Sequence, residues 1–389
     1  MRVADYITEF LFKNGIKTSF MLSGTGSVFL DDAFANYKGM SYVSARHESA
    51  AVMMAVGYYK LSQKPGVALV TTGPGGANAV GGVVEAWVDS VPTIIISGQV
   101  DSKFLDQDLR YFGVQGLNIL PIIKPITKFS KTITDPYSIQ YYLDKALYLA
   151  LEGRPGPVWL DIPFDIQSAK ITDQKKMRVF NRPAEVREPI EKVNSQANLI
   201  IEKILKAEKP LFILGQGVQQ AGAVKDFKKI IEFFDLPFLT SRIAIDVFKS
   251  TYKNNLGLAG IKGTRYSKKI MDESDLVLSL GCSMNSALTS ESETSESNMF
   301  FPNAEVIMVN NDENEFEKPG LRVDKKINID VKVVLKEMVE KIQSIEAKEY
   351  SSWLKYCLLL KKEYPIVDSS LERNPINSYF LVSRLAALS

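Results

Sequence analysis

The stretch VALVTTGPGGANAVGGVVEAWVDSVPTIIISGQV, residues 67–100, decides the fold class. It opens on VALVTT, a β-rich apolar run entered from the Pro65-Gly66 turn. A glycine loop, GPGG (73–76), follows. ANAVGGVVEAWVDS is long enough for a helix, and TIIISG is again a strand. Neither strand alternates polar with apolar residues. Continuous apolar strands separated by helices mean a parallel sheet covered on both faces.

The same rhythm runs outward in both directions. Upstream lie a helix over about 3–14, the strand TSFML, the small-residue loop SGTGS (23–27), the helix VFLDDAFANY and the strand SYVS. Downstream, residues 100–125 read as a functional loop region. The helix SIQYYLDKALYLALEG and the strand GPVWLDIP then close the segment at about residue 167. Residues 168–190 are charged, aperiodic and proline-containing, and read as a linker. A second segment, 191–345, repeats the pattern with KPLFILGQGVQQAG, LPFLTS, DLVLSLGCS and AEVIMVNND. Residues 346–389 read as a further linker and the start of another domain. The expected fold class is α/β, with two consecutive parallel-sheet, three-layer domains, the second Rossmann-like.

Bulk properties narrow the function. A chain of 389 residues is too long for one core. A net charge of +2, without a basic stripe, argues against a nucleic-acid partner. One histidine and two cysteines, Cys282 and Cys357, cannot build a metal cluster, so no metal ligand is assigned. Both cysteines read as small buried hydrophobes. The N-terminal helix lacks the apolar core of a signal peptide, and no run is long enough to span a membrane. A cytoplasmic location is expected.

The only histidine stands in ARHESAAVMMAVGYYK, residues 45–60. At helical spacing Glu48, Ala51, Val52, Ala55 and Tyr59 share one face. A carboxylate on a buried stripe is costly unless it is paired or kept protonated. His47 reads as a helix-start residue, and Met53 and Met54 as core. The GPGG loop presents backbone amides at a helix start, or is simply a tight strand-to-helix turn. It is neither G-x-G-x-x-G nor a P-loop. The later Gly215-Gln216-Gly217 resembles half of a dinucleotide fingerprint, or a plain βα turn.

Taken in order, Arg46-His47-Glu48, Gly73-Pro74-Gly75-Gly76-Ala77-Asn78, Asp89-Ser90-Val91-Pro92 and Gly98-Gln99 resemble the pyrimidine-binding domain of thiamine diphosphate enzymes. The branch they are most similar to is the acetolactate synthase large subunit. PITKF (125–129) and RPGPVWLDIPFDIQ (154–167) continue the resemblance. GLAGIKGT (257–264), DLVLSLG (275–281) and VIMVNNDENEFEK (306–318) carry it into the family's central domain. The resemblance implies that Glu48 hydrogen-bonds the pyrimidine nitrogen of thiamine diphosphate. It implies that Ser23, Gly24, Gly73, Pro74, Gly75 and Asn78 line the cofactor pocket. Gln115 matches a glutamine that faces the reacting centre from the neighbouring protomer. The implied activity is decarboxylation of a 2-oxo acid, pyruvate foremost, with carboligation, in a homodimer or a dimer of dimers.

Three departures qualify the resemblance. No Gly-Asp-Gly occurs, so the Mg²⁺ ligands are expected in a diphosphate-binding domain outside this chain, which reads as a fragment of a longer protein or as a chain that works with a separate diphosphate-binding chain. Ser283-Met284-Asn285-Ser286-Ala287 and Lys262 replace the residues tied to FAD in the biosynthetic enzymes, which makes FAD doubtful. The first loop reads Ser23-Gly24-Thr25 in place of Pro-Gly-Gly. The alternatives are a simple 2-oxo acid decarboxylase, another carboligase of the family, or a non-catalytic dimerising or nucleotide-binding α/β protein.

Overall fold

The structure, a computed structural model, describes all residues except 106–108, 110–112, 185–187, 290–300, 320, 368–371, 373–374 and 389. The chain divides into two compact units, Met1–Glu185 and Val186–Ser389.

The first unit is built on six strands: β1 Thr18–Met21, β2 Ser41–Ser44, β3 Gly66–Val70, β4 Thr93–Gln99, β5 Phe129–Thr132 and β6 Val158–Pro163. They form one sheet in the order β2-β1-β3-β4-β6-β5, with every pairing parallel. Its helices are α1 Val3–Lys13, α2 Val28–Asn36, α3 Glu48–Ser62, α4 Pro74–Val88, α5 Leu120–Ile123, α6 Ile139–Leu151 and α7 Phe164–Ser168. Successive strand residues face opposite sides. Val67, Leu69, Ile94, Ile96, Val158 and Leu160 pack with α1, α2 and α6. Ala68, Val70, Ile95 and Trp159 pack with Ala51, Val52 and Ala55 of α3 and Ala79 and Val83 of α4. Two-sided covering is why β3 and β4 have no polar alternation.

The phase of α3 overturns one expectation. Glu48, Ala51, Val52, Ala55, Val56 and Tyr59 are its buried face. Met53 and Met54 are not core: they are 44% and 39% exposed. Residue type pointed inward, but the inward stripe is already filled and these two fall outside it. Residues 168–190 also differ from a free linker. Ile171 and Met177 are buried in the first unit's core, and Arg178 N donates to Tyr137 O at 2.9 Å.

The second unit has strands β7 Pro210–Leu214, β8 Phe238–Thr240, β9 Asn255–Leu258, β10 Leu276–Leu280, β11 Glu305–Asn310 and β12 Lys325–Asn328. Their order is β12-β11-β10-β7-β8-β9, again all parallel. Read from β9, this is the 3-2-1-4-5-6 order of doubly wound dinucleotide-binding sheets. Its helices are α8 Ile190–Lys206, α9 Gln216–Gln220, α10 Val224–Phe234, α11 Arg265–Glu273, α12 Ser286–Thr289, α13 Val331–Ile342, α14 Ser351–Glu363 and α15 Ser378–Leu388. Part of the supposed linker 346–389 belongs to this core. α14 buries Trp353, Leu354, Cys357 and Leu360, and Trp353 Nε1 donates to Pro210 O at 3.0 Å. Its flanking lysines and glutamates hide that apolar face in a sequence reading.

Phe227 sits fully buried between Phe212, Phe238 and Phe248, at ring-centroid distances of 5.7, 5.3 and 5.8 Å. Phe227→Ala is expected to cost about 3–5 kcal/mol in urea denaturation, the range for an aromatic deleted from a tight core. A loss under about 1 kcal/mol would contradict this packing.

Candidate cofactor site

The order of the first sheet reverses between β1 and β3. Such a switch point opens a crevice beyond the carboxyl ends of the strands. Met21 pairs with Leu69, so the loops leaving β1 and β3 start at one level. Both are small-residue loops, 23–27 and 73–76. The segment leaving β2 reaches the same place, since Ala45 N donates to Met21 O at 2.8 Å. It delivers Glu48 as the first residue of α3.

Glu48 is 7% exposed. Asn78 Nδ2, on α4, donates to its Oε2 at 3.1 Å. Ser49 Oγ donates to Asn78 O, so the starts of α3 and α4 are stitched together. Among the described residues, Oε1 receives no protein hydrogen bond. Gly75 lies beneath it: an added Cβ would stand 3.3 Å from Oε1 and 2.6 Å from Thr71 Cγ2. The missing side chain keeps one carboxylate oxygen accessible in an otherwise buried setting. His47 caps α3, its Nδ1 accepting from Ser49 N at 3.2 Å.

Gly73 has φ of +59°, and a Cβ there would collide with the Gln115 carbonyl oxygen. Gln115 is itself in the left-handed region, at φ +61°. The two loops therefore meet main chain to main chain, and Gln115 belongs to the same crevice edge as Gly73. Pro74 occupies the first turn of α4, where its missing N–H costs nothing.

The first loop is tied in less directly. Gly24 N and Ser27 Oγ donate to Asp31 Oδ2 at 3.3 and 3.0 Å. Gly26 N donates to Thr71 Oγ1 at 3.1 Å. Thr71 thus stands between the two glycine loops. Ser23 and Pro74 are exposed. Thr71 and Asp31 escaped the sequence reading: Thr71 is a loop residue without periodic signal, and Asp31 is one polar residue among several on α2. Asp31 Oδ1 is buried without a partner, and burial pushes the carboxyl up to about 6. Among the described residues no group of three histidine, cysteine or acidic side chains could hold a metal ion.

The corresponding point of the second unit is built differently. Gly215 N donates to Leu280 O and Gly217 N to Gly281 O, both at 2.9 Å. Amides that a dinucleotide fingerprint would turn toward phosphate are used inside the fold. Lys318 Nζ donates to Ser283 Oγ at 2.7 Å and pairs with the buried Glu315. Among the described residues, no helix is long and apolar enough to cross a membrane.

A buried acid at the switch point of one parallel sheet, followed by a second doubly wound unit, defines a class of α/β cofactor-dependent enzymes. Residues 1–118 match the thiamine pyrophosphate enzyme N-terminal TPP-binding domain, and residues 197–338 match the central domain of the same enzymes. The chain carries the N-terminal and central domains of a thiamine pyrophosphate enzyme. It is 31% identical over 374 residues to the "Probable acetolactate synthase large subunit" of Methanocaldococcus jannaschii, covering 95% of this chain and 61% of that relative. It is 28% identical over 362 residues to the acetolactate synthase large subunit of Lactococcus lactis, covering 93% and 60%. Against the acetolactate synthase isozyme 3 large subunit of Escherichia coli, identity is 29% over 352 residues, covering 89% and 58%. The chain thus spans about 60% of the length of the curated relatives it matches.

Two outcomes test this geometry. Gly73→Ala combines a left-handed backbone with a main-chain collision, and is expected to lower stability by about 1–3 kcal/mol. An unchanged denaturation midpoint would mean that Gln115 does not close on this loop. Asp31 keeps its proton up to about pH 6 when folded, against 3.8 for a free aspartate. Between those values the folded chain binds more protons, so this group makes stability fall as pH rises. Asp161, raised to about 6 by burial, acts in the same direction. Asp31→Asn should flatten part of that decline in urea titrations between pH 4 and pH 6; an unaltered slope would remove Asp31 from it.

Proposed function

We propose that this chain supplies the cofactor-activating half of a thiamine diphosphate-dependent enzyme of acetolactate synthase type. Its substrate is a 2-oxo acid, pyruvate foremost, which it decarboxylates and joins to an acceptor. The observation that carries this reading is Glu48. One of its oxygens is held by Asn78 and the other is open above the Cβ-free Gly75, at a sheet switch point. That open oxygen fits a protonated ring nitrogen, the partner that makes a buried carboxylate affordable. When bound, the cofactor supplies the carbon nucleophile and the electron sink for loss of CO₂. Glu48 holds and returns a proton at the pyrimidine nitrogen. Asn78 orients it, and the amides and glycines of the second loop let the ligand approach the main chain. Ser23 and Gly24 border the same crevice. Gln115, on the loop that closes on Gly73, faces the reacting centre from the neighbouring protomer.

Mg²⁺ would be held by the diphosphate-binding domain that the family resemblance implies. FAD is left out of this reading, given Lys262 and Ser283. The partner is a second copy of the chain. Met53, Met54 and Leu61 on α3 and Val84 and Val88 on α4 are exposed apolar side chains on the two helices that carry Glu48 and Asn78. Such a patch beside a site marks an interface. The proposed assembly is a homodimer or dimer of dimers in the cytoplasm, with no nucleic acid and no membrane partner. A nucleotide-binding role is disfavoured by the amides spent at Gly215 and Gly217.

Calorimetric titration of the full-length protein with thiamine diphosphate and Mg²⁺ is expected to show saturable binding. Glu48→Gln should keep the fold and slow exchange of the cofactor's C2 proton by about 10²–10⁴-fold. Unchanged exchange would end the role given to Glu48. Product analysis with pyruvate separates carboligation from simple decarboxylation: acetolactate supports the reading, and acetaldehyde alone replaces it with the decarboxylase.

A further inference from the structure

Beneath the two loops lies a buried polar network that the chemistry above does not use. Ser97 on β4, Asp161 on β6 and Thr132 on β5 are register partners across three neighbouring strands. Ser97 Oγ donates to Asp161 Oδ1 at 2.6 Å, and Thr132 Oγ1 to Oδ2 at 3.0 Å. Trp159 Nε1 donates to Ser97 Oγ at 2.8 Å. At the end of β4 stands Gln99, 2% exposed. Its Oε1 accepts from Thr72 Oγ1 at 2.8 Å and Val100 N at 3.0 Å. Its Nε2 donates to Leu117 O at 2.8 Å and Asp161 Oδ2 at 3.1 Å.

All four hydrogen-bonding positions of this amide are filled. A flip would set its NH₂ against the Val100 amide and its oxygen against the Asp161 carboxylate. The orientation is therefore fixed. Two of the four partners belong to the connections that form the site edge. Thr72 directly precedes Gly73, and Leu117 lies two residues after Gln115.

We propose that Gln99 is a positioning residue, anchored by Asp161, that couples the Gly73 loop to the loop carrying Gln115 so that the two are set as one unit. The proposal rests on the assignment of those loops to the cofactor site. Gln99 touches neither cofactor nor substrate; it acts through the Thr72 hydroxyl on one side and the Leu117 carbonyl on the other. The Asp161 carboxylate makes the anchor a charge-assisted one, stronger than an amide pair would be. Desolvation strengthens each link and raises the cost of breaking one.

The test is amide hydrogen exchange on the full-length, cofactor-free protein, which reads the coupling without reference to activity. Thr72→Val keeps the shape of the side chain and removes one link, on the Gly73 side only. Exchange is expected to rise about fivefold to tenfold at residues 113–118, across Gln99, as well as at 73–78. Residues 94–96 of β4 should stay as protected as in the wild type. Thr72→Ser restores the hydroxyl and should restore protection in both loops. A rise confined to 73–78 would overturn the coupling, and so would a uniform rise that includes β4. In the cofactor titration Thr72→Val should weaken thiamine diphosphate about tenfold, again rescued by Thr72→Ser. Failure of the wild-type protein to bind the cofactor would refute the proposed function, whereas the exchange pattern decides the coupling by itself.

Discussion

The hydrogen bond from Asn78 to Glu48 is the constraint around which the first unit is arranged. An acidic side chain at the start of a helix is ordinarily solvated, and the helix dipole favours it there. Here it lies inside, which demands a donor from a neighbouring element. Asn78 can donate only if α4 begins beside α3. That in turn requires the β3 loop to turn sharply at Gly73 and Gly75. The strand order sets both helix starts at one edge, and the glycines let them close.

Glu48 was legible in the sequence because helical periodicity is a property of spacing. One polar residue on a stripe of Ala51, Val52, Ala55 and Tyr59 is visible without a structure. The glycine loops were legible because few other residues turn so tightly. Met53 and Met54 were misread for the opposite reason: residue type spoke where the phase of the helix decided. What stayed hidden was lateral. Strand order is not written in any local pattern, so only the family resemblance, and not periodicity, put residues 23–27 beside 73–76. Thr71 lies in a loop and Gln99 at a strand end, where polar residues carry no period; Asp31 sits on α2, and Asp161 is a lone polar residue inside the apolar strand β6. The apolar face of α14 was masked by its charged flanks.

Charge inside the first unit is handled in two ways. Asp161 has three donors and sits on strands, so its burial is tolerated by geometry that the sheet already imposes. Asp31 has two donors on one oxygen and none on the other. The first acid stiffens its surroundings. The second leaves the β1 loop less completely satisfied than the β3 loop it faces.

The two sheets share a doubly wound design, yet their mouths have opposite characters. In the second unit Gly215 and Gly217 lie directly against Gly281 and Cys282, backbone on backbone. The two turns are therefore pinned to each other by main chain alone, and neither glycine accepts a side chain without parting them.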